Sequence, residues 1–148
     1  MTAYRRVTLL VSLVALGAAL IAPRPAGAQS KKAVNPPGSA AGLPFSNGII
    51  AGNTLYVAGT QGTISGDIKQ ETASALDNIR KIVEAAGFSM ADVVAVNVYL
   101  ADVKEFGAMN EVYRQYFPDP KPTRTTVGVA QLIGNARIEI SAIAVRSH

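Results

Sequence analysis

Residues 72–117 read TASALDNIRKIVEAAGFSMADVVAVNVYLADVKEFGAMNEVYRQYF, and the change of period within them sets the fold class. Leu76, Ile79, Val83 and Ala86 recur at steps of three and four, which is one apolar stripe of a helix. The spacing predicts a helix over 70–86, with Lys69, Glu71, Asp77, Arg80, Lys81 and Glu84 around its other sides. Gly87 suits the left-handed residue that ends such a helix. Residues 89–92 form a turn. Val93–Leu100 is rich in valine, carries a tyrosine and has apolar residues on both faces, so it reads as a strand that needs a covering layer on each side. One of those layers can be another subunit. Asp102 is placed to cap a second helix over 103–117, where Phe106, Met109, Tyr113 and the Tyr116-Phe117 pair keep helical spacing. Pro118, Pro120 and Pro122 stop it and force an extended linker.

Outward from this core, residues 45–51 and 54–58 are short apolar runs joined by Gly52-Asn53, a pair that tolerates positive φ and reads as a hairpin turn. A glycine-rich loop follows from Gly59 through Gly62 to Gly66. Residues 123–128 and 137–145 supply two more strands. The order β-β-α-β-α-β-β predicts an α/β (α+β) domain of two layers, a sheet packed by two helices.

The N-terminus has a different character. Arg5-Arg6 precede an apolar run over 7–21, prolines 23 and 25 break it, and Ala26-Gly27-Ala28 fits a small-x-small cleavage pattern. Residues 1–28 therefore read as a signal peptide cut between Ala28 and Gln29, which implies a periplasmic or secreted protein with no membrane attachment after cleavage. The apolar run is shorter than the roughly 20 residues a membrane anchor needs. Residues 29–42, rich in Ser, Lys, Pro, Ala and Gly without periodicity, read as a flexible or extended lead-in. Residues 43–148 then form the domain.

Composition removes several classes of chemistry. The 148 residues include no cysteine, so disulfides, thiolate metal sites and cysteine nucleophiles are excluded. The single histidine, His148, is the last residue, so one subunit holds neither a histidine triad nor a multi-histidine metal site. No metal or other cofactor is expected. The formal charge is +4, but Arg5, Arg6 and Arg24 of the leader supply three of the 14 basic residues and the leader holds none of the 10 acidic ones. The remainder has a net charge of +1, which carries no electrostatic footprint for nucleic acid.

Four segments together resemble one family. LPFSNGIIAGNTLYVAGTQG at 43–62 resembles the opening hairpin of RidA-like (YjgF-like) proteins, the reactive imine/enamine deaminases. Residues 72–117 resemble the family's central helix-strand-helix, PKPTRTTVGVAQL at 120–132 its P-x-R-x-x-V signature, and RIEISAIAV at 137–145 its closing strand. The four lie in the family's order and spacing over about 43–146. The resemblance implies a chorismate-mutase-like fold, a homotrimer with clefts between subunits, and hydrolysis of 2-imino and enamine acids to 2-keto acids and ammonia.

It also implies the site. Arg124 matches the family arginine that pairs with the substrate carboxylate, and a guanidinium fork suits that task at any working pH. Spacing alone allows a solvated edge residue. Glu139 matches the acidic residue that positions and activates water. Arg137, Glu139 and Ser141 share one side of their strand, a pattern that a polar face in water also shows, but Ile143 and Val145 continue that same side. Asn110 matches a family asparagine near the cleft and could serve a ligand or a backbone group. Gly59, Thr60 and Thr126 are candidate backbone donors to the ligand. Three positions depart from the family: Phe45 replaces a tyrosine, Ala58 a serine and Thr126 a cysteine. Fewer polar groups line such a site, which points to a more apolar ligand or weaker catalysis. Beside the deaminase stands the alternative of a non-catalytic trimer that binds small carboxylates. RNA cleavage, known from some relatives, fits poorly with the neutral charge and the lack of a catalytic histidine.

Overall fold

The computed structural model describes residues 30–146. The leader at 1–28 and His148 lie outside the described residues. The elements are β1 (Lys31–Val34), β2 (Gly48–Ala51), β3 (Thr54–Gln61), α1 (Ile68–Ala85), β4 (Val93–Leu100), α2 (Phe106–Tyr113), β5 (Thr123–Gly128) and β6 (Ile138–Val145). The six strands form one sheet in the order β1-β2-β3-β6-β4-β5, antiparallel except for the β4–β5 pair. The expected mixed sheet packed by two helices is present. Among the described residues no helix is long and apolar enough to cross a membrane.

Strand alternation divides the side chains between two faces. Leu55 and Val57 of β3, Val96, Val98 and Leu100 of β4, and Ile138, Ile140, Ala142 and Ala144 of β6 are buried under the helices. They meet Ala75, Leu76, Ile79 and Val83 of α1 and Met109 and Tyr113 of α2 in one core. The other face carries Tyr56, Asn97, Tyr99, Glu139, Ser141, Ile143 and Val145. Among the described residues no layer covers it, and Tyr56 is half exposed. The two covering layers expected for Val93–Leu100 are thus reduced to one in the single chain.

Several boundaries differ from the sequence expectation, those of the helices for local reasons. Helix α1 begins at Ile68 rather than residue 70, because the Asp67 carboxylate accepts the Gln70 amide at 3.0 Å. Its end follows the expectation: Gly87, at φ 73°, and Phe88 return their amides to Glu84 and Val83, and the Phe88 ring is buried. The second helix, expected over 103–117, is shorter. Asp102 does cap the amide of Lys104, but residues Val103–Glu105 make one tight turn before α2 starts. After Tyr113 the chain again tightens to three-residue spacing, with Gln115 and Tyr116 amides on Val112 and Tyr113 carbonyls.

Part of the lead-in at 29–42 takes the extended form: Lys31–Val34 pairs along the outer edge of β2 and buries Val34. Four residues reading KKAV are too short to show alternation, and the open backbone edge of β2 is what orders them.

Glu71 was expected on the polar side of its helix, but it is 1% exposed. Its Oε1 accepts the amides of Ser65 and Gly66 at 3.1 and 2.9 Å, and Oε2 accepts the Arg137 amide at 2.8 Å. One carboxylate thus joins the loop after β3 to the start of β6. Removing it frees three amide donors, of which those of Ser65 and Gly66 belong to exposed residues and can turn to water, while that of Arg137 is partly buried. Glu71→Ala is therefore expected to lower unfolding stability by about 1–3 kcal/mol, and Glu71→Gln by less; urea denaturation curves measure both.

Candidate functional site

The register of the two outer strands fixes where the candidate residues point. Arg124 pairs with Val96, and Thr126 with Val98, so both share the helix-covered face. There the Arg124 Nη1 donates to Asn110 Oδ1 of α2 at 2.7 Å. The guanidinium carbon sits 4.5 Å from the Tyr113 ring centre and 5.5 Å from that of Phe106. Two aromatic faces and one amide oxygen hold the cation in place. Among the described residues no carboxylate forms an ion pair with it. The hydroxyls of Tyr113 and Thr126 are buried beside it without hydrogen-bond partners. This cluster offers an oriented positive charge and two unused hydroxyls, the equipment for an anion. Burial pushes the Tyr113 phenol up to about 12, with the Arg124 charge acting the other way.

Glu139 lies on the opposite, uncovered face. Its Oε2 accepts from Gln61 Nε2 at 3.0 Å. With Phe45, Ala58, Gly59, Gln61 and Ile133 it lines a cavity of about 440 Å³. A Cβ on Gly59 would overlap the Glu139 carboxylate, so a larger residue there would push that side chain from its place. A second cavity of about 360 Å³ adjoins it, sharing Phe45, Gly59 and Gln61 and reaching Thr60, Asn78 and Lys81.

The candidates therefore fall into two groups. Phe45, Ala58, Gly59 and Glu139 come together; Arg124, Asn110 and Thr126 come together; the sheet separates the groups. Thr60 belongs to neither. It pairs with Ile140 on the helix-facing side, and its hydroxyl donates to the Ala58 carbonyl at 2.8 Å. The cause is a bulge between Val57 and Thr60, which places one extra residue in β3 and reverses its alternation. Strict alternation from Tyr56 would put Thr60 over the cavity. The bulge puts Gln61 there instead, and the sequence reading missed it. Ile133 was missed as well, because it sits in a corner outside any strand, followed by Gly134 at φ 68° and Asn135 at φ 61°.

Comparison with known proteins gives the chain's family. The sequence pattern described as Endoribonuclease L-PSP matches residues 36–146. The chain belongs to this family, that of the RidA, YjgF and RutC proteins. It is 47% identical over 108 residues to a RutC family protein of Pyrococcus horikoshii, covering 68% of this chain and 86% of the relative. It is 40% identical over 109 residues to the 2-iminobutanoate/2-iminopropanoate deaminase of Dermatophagoides farinae, covering 69% and 85%. Among solved structures, Escherichia coli TdcF with bound serine aligns at a TM-score of 0.71 and 33% identity, covering 78% of this chain and 99% of TdcF. Rv2704 of Mycobacterium tuberculosis, a member of the YjgF/YER057c/UK114 family, aligns at 0.73 and 32% over 79% and 100%. The Endoribonuclease L-PSP family thus includes reactive-intermediate deaminases among this chain's relatives.

The raised phenol of Tyr113 has a consequence at high pH. Its folded value lies above the ordinary one of about 10, so its stabilising contribution is complete below pH 10. That contribution is lost as the pH rises toward 12. Tyr113→Phe keeps the ring under Arg124 and is expected to flatten this part of the pH dependence. Urea midpoints at pH 9, 10 and 11 measure it.

Proposed function

We propose that the protein is a hydrolytic deaminase of reactive 2-imino and enamine acids, and that its site forms where the Arg124 group of one subunit faces the Glu139 group of the next in a homotrimer. The observation that carries this is the separation of the two groups onto opposite faces of one sheet. Among the described residues no carboxylate pairs with Arg124, and no cation lines the cavity beside Glu139. Each supplies what the other lacks, and only a second copy of the chain can bring them together. The family's deaminase members support the same chemistry.

In this reading Arg124, steadied by Asn110, takes the substrate carboxylate, and the Thr126 hydroxyl adds a donor. Glu139, oriented by Gln61, holds a water against the imine carbon and takes its proton as the C–O bond forms and the C=N π pair moves to nitrogen. Starting from the iminium form of the substrate, the neutral carbinolamine nitrogen takes that proton from Glu139 and becomes an ammonium leaving group, which restores the carboxylate. Its C–N bond breaks as the hydroxyl proton returns to Glu139 and the C=O bond forms. The products are a 2-keto acid and ammonia. No step asks for a metal or cofactor. We further propose that residues 1–28 direct export to the periplasm or medium, with Gln29 becoming the N-terminus. Strand β1 starts at Lys31, so that cut leaves the sheet intact.

The test is ammonia release by the purified protein from imines generated in situ by an amino-acid oxidase. Arg124→Ala is expected to lower kcat/KM by about a hundredfold, the scale of a lost charge-assisted contact of roughly 3 kcal/mol. Glu139→Gln is expected to lower kcat by about a hundredfold or more, as loss of a general base does. Both should retain the trimer mass by light scattering. A folded trimer that binds 2-keto acids but accelerates no imine would replace this reading with that of a carboxylate-binding protein.

A further inference from the structure

The cavity beside Glu139 has a wall that the hydrolytic chemistry does not use. Phe45 is 55% exposed, Ala58 contributes a methyl group, and Ile133 is 83% exposed, the most exposed large apolar residue described. The two left-handed residues after Ile133 hold the corner that presents it. Ile64 backs this corner, since a Cβ on Gly134 would lie 3.2 Å from the Ile64 Cδ1. An isoleucine held outward by a shaped turn, over a cavity that an exposed phenylalanine also lines, is an apolar surface awaiting a partner. The polar side chains in that cavity are Glu139 and Gln61, and they bond each other. The Thr60 hydroxyl is turned to the Ala58 carbonyl. A substrate side chain entering beyond Glu139 therefore meets carbon. At about 440 Å³ the cavity is of the size that takes a small organic molecule rather than a methyl group.

We infer that Phe45, Ala58 and Ile133 form a subsite for the substrate side chain, and that the preferred substrates are 2-imino acids with branched aliphatic or aromatic side chains. The inference rests on the deaminase reading for its chemistry, but its apolar preference can be read without turnover. A hydroxyl or charge on the side chain loses its water and finds no partner there. Each added methylene gains from leaving water. Ile133 touches the side chain and takes no part in proton transfer.

The experiment uses the protein expressed with its own N-terminal segment. D-Amino-acid oxidase supplies imines from D-leucine, D-phenylalanine and D-alanine; the imine carbon is planar, so the enantiomer used is immaterial. The kcat/KM for the leucine-derived imine is expected to exceed that for the alanine-derived one by about tenfold or more. In Ile133→Ser that ratio is expected to fall about fivefold, and because the residue is exposed the variant should fold. In parallel, calorimetry compares 4-methyl-2-oxopentanoate with pyruvate, the former being expected to bind about tenfold tighter. A ratio near or below one, or a ratio that Ile133→Ser leaves unchanged, overturns the subsite. If no imine is accelerated, the deaminase reading fails on its own. The calorimetric preference then decides the subsite: tighter binding of the longer keto acid sustains it, and equal or weaker binding overturns it.

Discussion

A pleated strand sends successive side chains to opposite sides, and in this sheet helices cover only one of them. The rest of the molecule follows from that asymmetry. The apolar positions of β3, β4 and β6 go inward against α1 and α2 and form the core. The alternate positions, Tyr56, Asn97, Tyr99, Glu139, Ser141 and Ile143, are left on a face without a layer. A face that mixes aromatic, aliphatic and polar groups is neither a plain solvent surface nor a core. It has the composition of a surface that meets another protein surface. The same alternation puts Arg124 two strands away and on the reverse side. Assembly and chemistry are therefore one problem in the proposed trimer.

Within the chain, two small devices set the shape of the carboxylate group. The bulge in β3 turns Gln61 toward Glu139 and Thr60 away from it. Gly59 then leaves the space that the Glu139 carboxylate fills. Neither residue supplies chemistry of its own. They decide which oxygen of Glu139 is engaged and which is left to face the cavity. Behind them, Glu71 gathers three backbone amides from the loop after β3 and from the start of β6. That buried carboxylate ties both walls of the cavity to α1, and the rigidity of the site depends on it.

Much of this was legible in the sequence where a period ran long enough to be counted. The stripe of Leu76, Ile79 and Val83 gave α1, and the apolar side of β6 gave the core face of the sheet. The site residues came from resemblance rather than from periodicity, and the structure distributes them over two faces that a linear reading does not separate. What was illegible has physical causes. A bulge is a one-residue insertion with no composition signal, so nothing in the sequence marked the Gln61 side chain as facing the cavity. Strand β1 is ordered by its neighbour's open edge rather than by its own pattern. Glu71 looks like any charged helix residue until the amides that surround it are seen. Ile133 stands in a loop, where no alternation marks it.

A site divided between two faces also links binding to assembly. A ligand that contacts Arg124 of one subunit and the Glu139 cavity of another binds the assembled form alone, so occupancy stabilises the assembly by mass action. The reverse holds with equal force: weakening the subunit contact weakens the ligand. The open face of the sheet, the apolar rim of the cavity and the unpaired guanidinium of Arg124 are three incomplete features of the single chain. In the proposed trimer a neighbouring copy would cover the open face and carry its Arg124 to the Glu139 cavity, so the contact that completes the sheet would also complete the site.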